Sequence, residues 1–143
     1  MAMAPGVRLW IGLAATVLAG ALTVALVTDP LAAPSWIALA GGWSYVLSGL
    51  VLWARRPTNR TGPLTVLVGI TFFCGLLFAA EQPALQLIGS WVVPIHLAIF
   101  THVLLAFPSG RLMTTRARVL VVATYVDLAV VFHAPLGVTD QAV

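Results

Sequence analysis

Few residues in this 143-residue chain have side chains that could do chemistry. They are His96, His102, His133, Asp127, Glu81, Thr101 and Cys74, all set in or beside apolar runs. Histidines at membrane depth raise haem ligation as a chemistry. His96 and His102, however, are six positions apart. At 3.6 residues per turn they point roughly 120° away from each other, so one helix cannot present both to one iron. His133 could be a second ligand only at a matching depth, and it lies near the end of its run. Cys74 stands alone, which excludes an intramolecular disulfide and cysteine–cysteine metal spacing. No glycine-rich phosphate loop, metal-ligand motif or nucleophile elbow occurs. The sequence therefore offers no catalytic residue, no metal site and no cofactor site.

What remains for these polar groups is contact between helices. Asp127 lies nine residues past Arg118, roughly 13 Å along a helix. His96 lies eleven before Phe107, roughly 16 Å deep by the same rise, whereas His102 is only about 8 Å deep. Depth thus favours an intramembrane hydrogen bond of Asp127 with His96 over one with His102, with a kink at Pro94 turning the histidine inward.

The elements that must carry these residues follow from composition. The chain is 61% hydrophobic and only 8% charged, with mean hydropathy +1.06, against roughly 25% charged in soluble domains. This is the composition of an integral membrane protein. The expected fold is all-α, with about five transmembrane helices in an up-down bundle and one transmembrane domain over residues 1–143. The expected spans are 9–28, 35–54, 64–80, 87–107 and 119–133. A signal peptide is the rival reading of the first run, but its apolar core would be only 7–15 residues. Asp29-Pro30 ends that run and Glu81-Gln82-Pro83 ends the third. Pro63 suits the first turn of its helix, where a missing N–H is harmless. Two stripes of small residues, Gly12/Thr16/Gly20 and Ala40/Ser44/Ser48, mark faces for close helix approach. Trp36 and Trp53 stand near opposite ends of the second run, as interfacial rings do.

All seven basic residues are arginines, set against four acidic ones, which gives a net charge of +3. A basic chain can indicate nucleic acid. Here six of the seven arginines fall in loops 55–60 and 111–118, at the edges of the apolar runs. The positive-inside rule places both loops, and the N-terminus, in the cytoplasm and the end of the chain outside. Attraction to anionic head groups is a second role for the same side chains. In the second loop Phe107-Pro108-Ser109-Gly110 stops the helix and turns the chain.

The two loops together resemble a family. Trp53-Ala54-Arg55-Arg56-Pro57, then Asn59-Arg60 and Gly62, resembles the W-x-R-R-P-x-N-R-x-G signature in the membrane regions of actinobacterial sensor histidine kinases. His102 followed by Leu104-Leu105-Ala106-Phe107-Pro108-Ser109-Gly110-Arg111-Leu112 is similar to their second signature, with Arg118 and Tyr125 in the usual continuation. The likeness covers about residues 43–127. It implies a sensor-input module of a two-component system in a bacterial plasma membrane, whose last helix drives a cytoplasmic kinase. No phosphoacceptor segment or nucleotide-binding domain is present in these residues, so kinase activity does not carry over. The expectation is a non-enzymatic input module, truncated or free-standing. Its expected partners are the lipid bilayer, a second copy in a homodimer, and a cytoplasmic kinase domain if the chain continues, with no nucleic acid. The alternatives are a stand-alone membrane subunit or transporter component, and a haem-binding membrane protein. Sequence following Val143 separates the first two, and a Soret band would reveal the third.

Overall fold

The structure is a computed structural model that describes residues 5–26 and 33–133. Asp29 and the segment after His133 lie outside the described residues. Among the described residues the chain is all-helical: α1 (Pro5–Leu26), α2 (Ala33–Arg55), α3 (Thr61–Gly75), α4 (Pro83–Ala106) and α5 (Thr115–His133), with no strand. A 3-10 turn, Leu76–Ala79, extends α3. Two of these segments, Thr61–Ala79 and Pro83–Ala106, are both long and apolar enough to cross a membrane.

Local chemistry accounts for the boundaries. Pro83 opens α4 with Gln82 as an extended N-cap, and Pro63 sits in the first turn of α3. Thr114 caps α5 by accepting the Ala117 N–H at 3.1 Å. Phe107 leaves helical geometry before Pro108 and ends α4. Pro94 is buried within α4, which continues on both sides of it.

Consecutive helices pack side by side, α1 on α2, α2 on α3, α3 on α4 and α4 on α5. Helix α3 also touches α1, so it is central, whereas α5 meets only α4 among the described residues. The densest contact joins α2 to α3, where backbones approach too closely for side chains. A Cβ on Gly49 would lie 2.6 Å from the Val66 nitrogen, and one on Gly69 would strike the Val46 side chain. Phe73 and Val46 are fully buried in this seam, with Trp43 edge-on to Phe73 at 5.8 Å.

The stripe Gly12/Thr16/Gly20 faces inward as expected. Thr16 is fully buried, Gly12 meets Leu50, and Gly20 meets Trp43 and Phe73. The second expected stripe is corrected: Ala40, Ser44 and Ser48 are all exposed. The close face of α2 is instead Gly42 and Gly49, rotated from that stripe. In a membrane, small residues alone mark a packing face, and α2 carries two candidate sets.

Candidate functional site

Two polar regions stand out: a histidine inside the bundle, and the end where the two arginine loops meet.

His96 turns toward α3. Its Nδ1 lies 3.1 Å from the Val68 carbonyl oxygen and 3.2 Å from Thr71 Oγ1. A carbonyl can only accept, so Nδ1 carries the proton and Nε2 is left as the acceptor in the neutral ring. The Thr71 hydroxyl donates to the Leu67 and Val68 carbonyls, at 2.8 and 3.1 Å, and so is free to accept from His96. Phe72 meets the imidazole edge-on at 5.4 Å and Phe100 stacks on it at 6.4 Å. This corrects the expected pairing of His96 with Asp127. Asp127 is exposed on α5, whereas His96 takes its partners from α3. His102, half-buried, sits edge-on to Tyr125 at 6.4 Å, so it joins α4 to α5 through a ring contact. The side chain of His133 lies outside the described residues. Thr101 bonds back to Leu97 within its own helix at 3.0 Å. Glu81 is exposed at the turn before α4, and Cys74 is half-buried and free. Among the described residues no three histidine, cysteine or carboxylate side chains gather around a common point.

At the other site, loops 49 positions apart in sequence are clasped together. Asn59 Nδ2 donates to the Pro108 carbonyl at 2.8 Å, while its Oδ1 accepts the Thr61 N–H at 2.9 Å. The Thr61 hydroxyl donates to the same Pro108 carbonyl at 3.1 Å. Pro108 follows a cis peptide bond. Gly110 then adopts φ +69°, donates its N–H to the Ala106 carbonyl at 2.8 Å, and closes α4. A side chain at Gly110 would strike the Arg60–Thr61 backbone, and one at Gly62 would lie 2.6 Å from the Trp53 nitrogen. Thus Asn59, Gly62, Pro108 and Gly110 each have a geometric task in one assembly. Thr61 was not singled out in the sequence, yet it supplies a second bond to the same carbonyl. Its place two residues after Asn59 is the only signal that could have found it.

The clasp frames a cleft of about 650 Å³, lined by Arg55, Arg56, Pro57, Thr58, Asn59, Ser109, Arg111 and Met113. Ser109 Oγ accepts the Arg111 N–H at 3.3 Å, which shapes its far wall. Arg55, Arg56, Arg60, Arg111, Arg116 and Arg118 are all exposed at this end of the bundle. Arg55 also sits in the last turn of α2, where a cation suits the helix dipole. Arg118 is tied locally, its Nε donating to the Leu112 carbonyl at 3.2 Å. No protein-family model, curated protein or solved structure matches the chain.

Proposed function

We propose that the chain is a membrane-embedded input module, a five-span helical bundle of the kind its two loop signatures resemble in sensor histidine kinases, without catalysis of its own. The observation that carries this reading is the clasp. The α2–α3 loop and the α4–α5 loop, which hold the two signatures, form one unit through Asn59, Thr61 and Pro108. A unit joining two helical hairpins at one end can relay a change in packing from either hairpin to the other. The six arginines at this end support a cytoplasmic placement for it, with the N-terminus inside and His133 toward the exterior. A stimulus acts by binding one packing of the hairpins better than another, and it shifts the population by that difference alone.

The test is a fusion in which the full chain, followed by one added span, precedes a histidine-kinase catalytic domain. Phosphorylation from labelled ATP should differ several-fold between the parent and Asn59→Ala, while the 143-residue chain alone takes up no label. Equal phosphorylation across clasp variants favours a stand-alone membrane subunit instead.

A further inference from the structure

We infer that the cleft between the two loops is a binding site for a phosphate-bearing anion, held by Arg55, Arg56 and Arg111. Three cations line one concave surface of about 650 Å³, within the size range of small-ligand sites. None of their guanidinium groups has a protein partner among the described residues, in contrast to Arg118 with its bond to Leu112. A neutralising carboxylate is not at hand either. The chain has no aspartate or glutamate between Asp29 and Glu81, or between Glu81 and Asp127. Like charges gathered without counterions repel, and they recruit an anion from outside. Arginine favours phosphate in particular, because its planar fork matches two phosphate oxygens at once.

Contacts within the protein hold the two loops that form the cleft. Asn59 and Thr61 pin one loop to the Pro108 carbonyl, and Gly110 packs on the Arg60–Thr61 backbone. The cleft borders apolar side chains that point outward at the same end: Phe107 is 67% exposed and Met113 76%. Cations beside exposed apolar groups match a phospholipid at head-group depth, phosphate in the cleft and chains alongside. A soluble phosphate compound presents the same chemistry to the same three side chains. The inference concerns binding alone, so it stands whether or not the chain transmits a signal.

The experiment titrates the detergent-solubilised full chain with short-chain phosphatidylglycerol, with phosphatidylcholine of the same chain length, and with inorganic phosphate. Saturable binding of phosphatidylglycerol over phosphatidylcholine identifies a lipid head group as the ligand. Saturable binding of inorganic phosphate identifies a soluble one. In either case Arg111→Gln and Arg56→Gln should each weaken binding by about tenfold, the loss of one charge-assisted bond. Arg116→Gln removes the same charge from outside the cleft and should leave affinity unchanged. Equal weakening by Arg116→Gln reduces the effect to diffuse electrostatics and overturns the site, as does failure of both anions to saturate. Helical circular dichroism checks each variant, and Arg56→Gln carries the test if Arg111→Gln loses its fold.

Discussion

Asn59 uses both ends of its amide, one to hold Pro108 across the clasp and one to order the start of α3 through Thr61. Replacing it with alanine removes two hydrogen bonds at a partly exposed site, for a loss of about 1–2 kcal/mol in unfolding measured in detergent. Gly110→Ala should cost more. It puts a Cβ on a φ of +69° and drives it into the Arg60–Thr61 backbone, so strain and clash add to on the order of 3 kcal/mol. A result in which Gly110→Ala is the milder of the two would contradict the clasp geometry. His96 and Asp127 face different neighbours, so the variants His96→Ala and Asp127→Asn should add within about 0.5 kcal/mol in a double-mutant cycle. A larger coupling would bring the two side chains together after all. These residues also show what the sequence could convey. Distance along each helix follows from counting, and the count puts His96 and Asp127 at similar distances from the loop between their helices. Direction around the axis does not, because in a chain that is 61% hydrophobic every face of a helix is apolar and hydrophobic periodicity goes silent.

The same asymmetry governs the helices. Apolar runs, prolines and charged turns mark where each helix starts and stops, so the order of elements is legible. Which side of α2 meets α3 is not. Ala40, Ser44 and Ser48 recur at the right spacing, yet Gly42 and Gly49 make the contact. The difference is physical: serine can satisfy its hydroxyl on its own helix, as Ser44 does with the Gly41 carbonyl at 2.7 Å and Ser48 with Tyr45 at 3.1 Å, and so needs no partner helix. Gly49→Val should therefore destabilise by about 3 kcal/mol through overpacking against Val66. Ser48→Val, one residue away and exposed, should stay within about 0.5 kcal/mol. Thermal unfolding in detergent separates them, and similar losses at both positions would move the α2–α3 seam. The arginine loops were legible one at a time from charge and turn chemistry. Their mutual contact was not, since a hydrogen bond over 49 positions leaves no local pattern.

For the molecule as a whole, the clasp requires both loops at one end, and the arginine count puts that end in the cytoplasm under the proposed orientation. Reporter fusions after Asn59 and after Thr115 should read cytoplasm, and a fusion after Pro83 should read exterior. Opposite readings at Asn59 and Thr115 would be incompatible with the bond to Pro108. That bond also has a bearing on how the protein is made. Asn59 emerges from the ribosome long before its acceptor, and 49 further residues must be added first. At about 5–20 residues per second, the wait lasts roughly 2–10 s. Under the proposed five-span topology, α3 and α4 must both be made and inserted during that interval, with the Asn59 loop still open. If α3 or α4 fails to cross, Pro108 arrives on the far side and the two halves never join. Under the proposed topology the contact therefore forms only in chains whose middle helices have both crossed, so the hydrogen bond that joins the loops also reports on their threading.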